Sequence, residues 1–330
     1  MTNIYQLLKY HLYSAKRIAR ETERVYLDKN YSAGGTQICK NVVPQVISMV
    51  DGRYIHGGFT DRIRGILATY KWAKEQGYEY KINWTYPYSL SAYLLPNKVD
   101  WVISPEKVSF NKEEACPVAV FDYKMPYQWQ VFKRIMNERT SHHYKQYHVY
   151  SNIDGVENEY RKLFDELFVP SPDIIANVNQ HISKLGNCYA SFTFRFQELL
   201  GDFKEQGSWI TLDDVDKKVL IKKCIDTILR IYDTRKLRGK VLVTSDSVTF
   251  LNEVSKALDF VYVIPGRISH MDYKSDNNDN TLHMRSFIDF FLIAKANASY
   301  LVCCDKMYRS NFAKYASIYG EHEYHEIIKR

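Results

Sequence analysis

Long apolar runs are missing from this chain of 330 residues, and no run approaches the ~20 residues needed to cross a bilayer. The first twenty residues lack the short apolar core and the cleavage site of a secretory signal, so we expect a cytoplasmic protein. No C-x-x-C pair occurs among the six cysteines, which argues against a zinc site. The phosphate loop G-x-x-x-x-G-K-[ST] and the nucleophile elbow G-x-S-x-G are missing too. The sequence thus gives no support to P-loop NTPases or α/β-hydrolases.

The composition is that of an ordinary globular protein. Hydrophobic residues make up 45% and charged residues 25%, which excludes wholesale disorder. The formal net charge of +7 suits an anionic small ligand, an acidic membrane surface or nucleic acid, and does not choose between them. Cys188, Cys303 and Cys304 lie in apolar, strand-like runs, so we expect them to be reduced and buried.

Apolar runs typical of strands alternate with segments of helical period, which predicts parallel sheets in an α/β fold. A helix is expected over 61–76, capped by Thr60 and ended by Gly77. Another begins at Pro172 and ends at Gly186. The predicted strands are 45–50, 78–84, 101–104, 117–122, 188–196, 240–244, 260–264 and 300–304.

The run Val169-Pro170-Ser171-Pro172 interrupts this alternation near the middle of the chain. We therefore predict two Rossmann-like domains, 1–170 and 171–330, whose parallel sheets face each other across a cleft. The first thirty residues stand apart as a basic amphipathic helix. It either lies on an anionic membrane as a peripheral contact or packs on the first domain with a solvated basic face.

The first candidate site is a glycine-rich turn that follows a strand and opens a helix. Gly57 and Gly58 permit close backbone approach, and the free N–H groups of a helix start attract anions. Arg62 and Arg64 add positive charge there. The alternative is a tight turn with two solvated arginines.

The second candidate is Arg195, which a strongly apolar strand delivers at its carboxyl end, where open α/β sheets bind their ligands. The planar guanidinium matches a phosphate and stays charged. The alternative is an arginine that leaves the sheet and pairs with an acid such as Glu198.

Two further strands end in small polar residues. Ser245 and Asp246 follow one of them, where the aspartate either binds a base or ribose or caps the next helix. Ser310 follows the other as the expected N-cap of a helix through Asn311 and Phe312, a start that suits a pyrophosphate or is an ordinary capped helix.

One acidic run resembles a metal clasp. Asp213, Asp214 and Asp216 match the D-x-D pattern of one class of glycosyltransferases, but they follow Thr211 at a predicted helix start, where acids favour the helix dipole. We expect a helix cap and no metal site.

Taken in this order, the four segments resemble the motifs of the fucosyltransferase superfamily of GT-B fold, which includes protein O-fucosyltransferases and the nodulation α1,6-fucosyltransferases. Gly57-Gly58-Phe59-Thr60-Asp61-Arg62 resembles its first glycine-rich turn, and Thr193-Phe194-Arg195 its H-x-R motif, with threonine in place of histidine. Ser245-Asp246 resembles its aspartate turn, and Ser310-Asn311-Phe312 its S-x-F motif. The resemblance extends over about 47–320, and the chain looks like a bacterial member.

The resemblance implies an enzyme that transfers fucose from GDP-fucose to a glycan in surface polysaccharide synthesis, without a metal or other cofactor. Its partners are then a nucleotide sugar and a glycan acceptor, and not nucleic acid. Arg195 and Arg62 are the implied catalytic residues, Arg195 stabilising the leaving diphosphate. The acceptor is expected near Gly58 and Arg62. The implied donor-binding residues are Gly57, Gly58, Ser245, Asp246, His270, Ser310, Asn311 and Phe312.

Two other functions stay open at this point. The donor is another nucleotide sugar, or the chain is an inactive protein that binds a nucleotide sugar or glycan as an assembly partner. Thr193 keeps the second alternative open, while Arg195 argues against it.

Overall fold

A computed structural model describes residues 27–32, 43–54, 56–121, 127–202, 210–266 and 281–329, without the side chains of residues 281 and 282. The chain divides into two compact units, Met1–Val169 and Pro170–Arg330. Each unit is an α/β assembly around a parallel sheet. The basic segment at the start of the sequence lies almost wholly outside the described residues. No helix in the described part is long and apolar enough to cross a membrane.

The first unit contains a four-stranded parallel sheet in the order β2-β1-β5-β4. The strands of this unit are β1 (Gln45–Val50), β2 (Glu79–Trp84), β3 (Leu94–Pro96), β4 (Ala115–Val120), β5 (Gln146–Ser151) and β6 (Phe168–Pro170). Its helices are α1 (Phe59–Gln76), α2 (Gln128–Thr140) and α3 (Tyr160–Leu167). The central strands β1 and β5 are buried along their whole length, as parallel strands covered on both faces are.

Helix α1 has the core-facing stripe that its sequence period predicts. The buried side chains of the stripe are Ile63, Ile66, Leu67, Tyr70 and Ala73. Gly77 ends the helix in the left-handed region at φ 75°, as predicted. The predicted cap is wrong: Gly58 is the N-cap, so Thr60 lies buried inside the first turn.

Helix α1 approaches the sheet very closely at Gly65. A Cβ atom built there would lie 1.8 Å from the carbonyl oxygen of Ser151, the last residue of β5. No other residue type leaves room for this approach. Gly65 therefore fixes how the start of α1 sits against the carboxyl end of β5.

The second unit contains a five-stranded parallel sheet in the order β11-β10-β7-β8-β9. Its strands are β7 (Ala190–Phe194), β8 (Val241–Ser245), β9 (Val261–Tyr262), β10 (Ala298–Cys304) and β11 (Glu323–Lys329). Its helices are α4 (Pro172–Leu185), α5 (Asp214–Thr234), α6 (Val248–Ala257), α7 (Thr281–Ala294) and α8 (Phe312–Gly320). The predicted bounds of α4 are confirmed, with Ser171 as N-cap and Gly186 as C-cap.

Strand β7 is central in this sheet, and its alternate side chains lie on opposite faces of the sheet. Phe192 and Phe194 belong to the apolar core with Ile228 of α5 and Phe250 of α6. The ring centroids of Phe194 and Phe250 are 4.6 Å apart. Because side chains alternate across a strand, Thr193 points to the opposite face.

All the predicted strands are found except 101–104. In that segment only Val102 makes an isolated bridge, to Ile82. The indole of Trp101 is buried, and its N–H donates to the carbonyl oxygen of Leu167 at 2.7 Å. The apolar character of this segment therefore reflects core packing and not a strand.

The sequence did not reveal β5 or β11. Buried β5 carries Gln146 and His148, which hydrogen-bond to each other at 3.0 Å, and His148 Nδ1 meets the Tyr31 hydroxyl at 2.8 Å. These contacts make polar residues tolerable in a core strand. β11 lies at a sheet edge and has a mixed polar sequence, because it is only half-buried.

The prediction for the cysteines is right for two of them and wrong for one. Cys303 and Cys304 of β10 are free and buried. Cys188 is free but exposed, because β7 begins two residues after it and leaves it in the preceding turn.

Candidate functional site

The carboxyl edge of the second sheet gathers three of the predicted segments. β7 lies between β10 and β8, and all three strands run parallel. Phe194 is paired with Ser245 in the register of β7 and β8, so Arg195 and Asp246 follow on neighbouring strands. Parallel strands end at the same edge, which is where ligands of open α/β sheets bind.

Arg195 forms an ion pair with Asp246, with Nη1 at 3.1 Å from Oδ2. The arginine side chain is 23% exposed, while that of the aspartate is 6% exposed. The carboxylate also accepts the backbone N–H groups of Phe196 at 2.8 Å and Gln197 at 2.7 Å. Arg195 is therefore accessible from solvent although the turn that carries it is anchored.

The backbone of Arg195 is held from the other neighbouring strand as well. Its carbonyl oxygen accepts the N–H of Tyr308 at 3.1 Å, in the segment after β10. Burial raises the pKa of Asp246, and the charge of Arg195 and the two N–H groups oppose this shift. The arrangement is a fixed guanidinium at the end of the central strand.

Thr193, which stands where the sequence resemblance leads one to expect histidine, is buried and hydrogen-bonded. Its hydroxyl lies 3.0 Å from the hydroxyl of Thr244 on β8. This pair ties β7 to β8 one residue before the strands end. At this position the structure has a hydrogen bond between two uncharged side chains of neighbouring strands.

Backbone N–H groups at the start of α6 donate hydrogen bonds to side chains of the protein. The Ser247 hydroxyl accepts the N–H of Phe250 at 3.0 Å and donates to the carboxylate of Asp202. Asp202 also accepts the N–H of Thr249 at 3.0 Å. Ser247, and not Asp246, is therefore the cap of this helix. The Ser245 hydroxyl accepts the N–H of Ser247 at 3.1 Å.

The segment before α8 differs by one residue from the prediction. Asn311 is the N-cap, and its side chain makes no capping hydrogen bond. Ser310 instead accepts the N–H of Phe312 through its hydroxyl at 3.2 Å. The Phe312 ring meets Phe290 of α7 edge to face, with centroids 6.0 Å apart. Asn311 is exposed beside this helix start.

The glycine turn of the first unit is braced by Arg62. Its Nε donates to the carbonyl oxygen of Gly57 at 3.0 Å and its Nη1 to that of Tyr86 at 3.2 Å. Gly57 has φ +81°, which favours glycine. Arg62 is buried, so the structure does not place this guanidinium on the surface, as the alternative of solvated arginines requires.

The N–H of Gly58 is also satisfied within the turn, since it donates to Asp61 Oδ2 at 3.2 Å. Asp61 Oδ1 pairs with Arg64 Nη2 at 2.5 Å. Both arginines of the first segment thus contact the turn.

His56 lies directly before this turn and is buried among aromatic rings. Tyr150 stacks with it at a centroid distance of 5.9 Å, and Phe121 lies 5.6 Å away. Both ring nitrogens are buried, and a polar contact with the backbone of Ser151 opposes the effect of burial only in part. Burial, followed by the charge of Arg62, lowers the pKa of His56 to about 3. The imidazole is therefore neutral at physiological pH.

The structure adds contacts that sequence reasoning missed. Arg285 of α7 is buried, and it pairs with Asp289 at 2.9 Å and donates to the carbonyl oxygen of Ile264 at 2.8 Å. Its position four residues before Asp289 on a helix is a recognisable signal. Asp202 gave no local signal, because its contacts with α6 join distant parts of the chain.

Two remaining predictions concern metal and loop residues. Asp213 Oδ1 accepts the N–H groups of Val215 at 3.0 Å and Asp216 at 2.8 Å, so the expected helix cap is confirmed. Within the described ranges no three His, Cys, Asp or Glu side chains form a metal-binding group. His270 lies outside the described residues.

The sequence matches no model of a known protein family and no curated protein. Solved structures do match it. NodZ α1,6-fucosyltransferase soaked with GDP-fucose has a TM-score of 0.53 and 16% identity, over 84% of this chain and 92% of NodZ. NodZ structures from Bradyrhizobium are among these matches.

Two further structures match as well. A mutant of Arabidopsis thaliana FUT1 in complex with GDP has a TM-score of 0.54 and 11% identity, over 100% of this chain and 80% of FUT1. POFUT1 in complex with GDP has a TM-score of 0.50 and 10% identity, over 87% of this chain and 98% of POFUT1. At such low identity the likeness concerns the fold. The chain therefore has the GT-B fold of these fucosyltransferase structures.

Proposed function

We propose that this protein is a glycosyltransferase that transfers fucose from GDP-fucose to a glycan, in cytoplasmic synthesis of a surface polysaccharide. The observation that carries the proposal is Arg195, held at the carboxyl end of the central strand in a fold whose solved relatives bind GDP. Both the geometry and the fold thus favour a nucleotide diphosphate donor.

The chemistry explains why a fixed arginine matters. As the bond between the sugar C1 and the phosphate oxygen breaks, the electron pair leaves with the diphosphate, while an acceptor hydroxyl oxygen bonds to the electron-poor C1 and releases its proton to solvent. A preorganised cation stabilises the new negative charge at no cost of reorganisation. We propose that Arg195 supplies this cation and that no divalent metal is needed.

The other contacts are assigned by position. We propose that the donor lies against Ser245 and the 310–312 segment, where exposed Asn311 precedes α8. The first unit then binds the acceptor beside Gly58. The buried Arg62 holds the Gly57 carbonyl and keeps this turn in shape.

A nucleotide panel tests the donor class. Thermal unfolding is measured with GDP, UDP, ADP and CMP, each at saturating concentration. A ligand at a hundredfold its Kd adds about 2.7 kcal/mol to the free energy of unfolding, so GDP should give a clear shift. Stabilisation by UDP alone would indicate another nucleotide sugar. Stabilisation by none of the four would contradict the proposal.

Turnover separates an enzyme from an inactive binder. Release of GDP from GDP-fucose is followed with and without a mixture of glycan acceptors. We expect release that depends on protein concentration and is faster with acceptor. Binding of GDP without any release would favour the alternative of an inactive binding protein, which threonine in place of histidine at position 193 keeps open.

A further inference from the structure

Both carboxylate oxygens of Asp246 contact groups of the protein, and the side chain is buried. Oδ1 accepts the Phe196 N–H at 2.8 Å and the Ser245 hydroxyl at 3.4 Å. Oδ2 accepts the Gln197 N–H at 2.7 Å and lies 3.1 Å from Arg195 Nη1. A carboxylate offers about four lone-pair sites. Two short N–H bonds, the ion pair with Arg195 and a longer contact with Ser245 thus direct both oxygens towards groups of the protein.

We infer that Asp246 is a positioning residue, which acts on the donor diphosphate through Arg195 and does not touch the ligand. This inference rests on the proposed function, since it concerns the same site. It replaces the contact with a ribose or base that the sequence suggested for Asp246.

The turn after β7 needs such an anchor. Gln197 has φ 54°, in the left-handed region that residues other than glycine adopt only when they are held. Its N–H and that of Phe196 both point to Asp246. The Tyr308 N–H holds the Arg195 carbonyl oxygen from the opposite side. Arg195 is thus fixed between the ends of its two neighbouring strands.

The ion pair also sets the direction of the guanidinium. Asp246 is 8% exposed, so its charge acts in a poorly solvated environment and holds Arg195 strongly. Without Asp246 the arginine keeps its charge but loses its fixed position. The loss should fall on turnover more than on KM, because preorganisation matters most as charge develops.

A double-mutant cycle tests the inference. Release of GDP from GDP-fucose is measured per folded molecule for the wild type, Arg195→Ala, Asp246→Asn and the double variant. We expect Asp246→Asn to lower kcat about tenfold or more in the wild-type background, and by less than about twofold when Arg195 is already alanine. Asp246→Glu, which keeps the charge but displaces the turn, takes the place of asparagine if that variant does not fold.

Asp202→Asn is the matched control. Asp202 lies at the same edge of the sheet and accepts two hydrogen bonds from Thr249 and one from Ser247. None of these three hydrogen bonds involves Arg195. This variant should have a lower melting temperature, with turnover per folded molecule unchanged. A role of Asp246 in stability alone predicts the same behaviour for Asp246→Asn.

The outcomes separate the two proposals. Equal losses from Asp246→Asn in both backgrounds would mean that Asp246 acts independently of Arg195, and would overturn the inference while the transferase stands. Unchanged turnover in Asp246→Asn would overturn it as well. A wild type that releases no GDP would overturn the proposed function, and this inference with it.

Discussion

Arg195 is the residue on which the proposed chemistry depends most. Arg195→Ala should lower turnover of GDP-fucose by about a hundredfold or more, because the developing diphosphate charge loses a fixed cation. Arg195→Lys should recover little, since an ammonium keeps the charge but not the planar fork. The measurement is GDP release per folded molecule, with a melting curve for each variant.

The control for this prediction is Arg235→Ala, which removes an exposed arginine at the end of α5. It should leave turnover unchanged. If Arg195 matters only for stability, Arg195→Ala will melt earlier and release GDP normally. That result would leave the transferase proposal supported by the fold alone.

His56 should make stability depend on pH. Its pKa is about 3 in the folded protein, well below the ordinary value of 6.5, so below pH 6.5 the unfolded chain binds a proton that the folded one does not. The free energy of unfolding should therefore fall as the pH drops from 6.5 towards 3, by up to about 1.4 kcal/mol per pH unit for this group. Urea unfolding at several pH values measures the slope.

His56→Gln should make that slope shallower by about the same amount, because the titrating group is gone. His148 also has a pKa lowered to about 3 by burial and contributes a slope that remains. Equal slopes for wild type and His56→Gln would show that His56 takes up its proton without unfolding.

At the residue scale, sequence reasoning found candidates but not their partners. Arg195 and Asp246 were recognisable because each follows an apolar strand. Their pairing depends on the register of β7 and β8, which local sequence does not encode. The contact between Asp202 and the start of α6 was hidden for the same reason.

At the element scale, Gly65 is the sharpest feature of α1. Gly65→Ala should destabilise the first unit by several kcal/mol, although alanine favours helices by about 1 kcal/mol, because its Cβ would overlap the Ser151 carbonyl. Denaturant unfolding measures the change. Gly58→Ala is the comparison, since its nearest atom would be 4.0 Å away, and it should cost at most about 1 kcal/mol. Equal stability of Gly65→Ala and wild type would mean that the helix shifts without strain.

Elements were predictable where their period was apolar and hidden where polar groups were satisfied by distant partners. The stripe of α1 and the bounds of α4 followed from spacing and caps. β5 was missed because Gln146 and His148 are buried through hydrogen bonds that no local pattern announces. The segment 101–104 is apolar because Trp101 is buried in the core, and not because it forms a strand of the sheet.

At the scale of the whole molecule, we predict transfer without a divalent cation. GDP release should change by less than about twofold with EDTA, and Mn²⁺ should not raise it, because a fixed arginine already meets the leaving charge. Asp213→Ala should remove a helix cap and cost about 1 kcal/mol of stability, with turnover unchanged. Activity that EDTA abolishes and Mn²⁺ restores would instead make Asp213, Asp214 and Asp216 a metal clasp.

The general α/β class was predictable for the whole chain, because strands and helices alternate on both sides of the Pro170–Pro172 run. The match with solved fucosyltransferase structures confirms the predicted fold at an identity of only 10–16%. Acceptor contacts had no comparable signal. Arg62, which the sequence resemblance makes a catalytic residue, is buried and braces a turn through the Gly57 carbonyl oxygen.

The exposed thiol of Cys188 offers a handle for spectroscopy. The other described cysteines, Cys116, Cys224, Cys303 and Cys304, are buried, so a maleimide dye should react selectively once Cys39, outside the described residues, is replaced by serine. Cys188 precedes β7 and Arg195 follows it, so the seven residue steps between them span at most roughly 23 Å at ~3.3 Å each. If GDP binds at Arg195 as proposed, a dye on Cys188 should transfer energy to a fluorescent GDP analogue, and the transfer efficiency would report the distance between them.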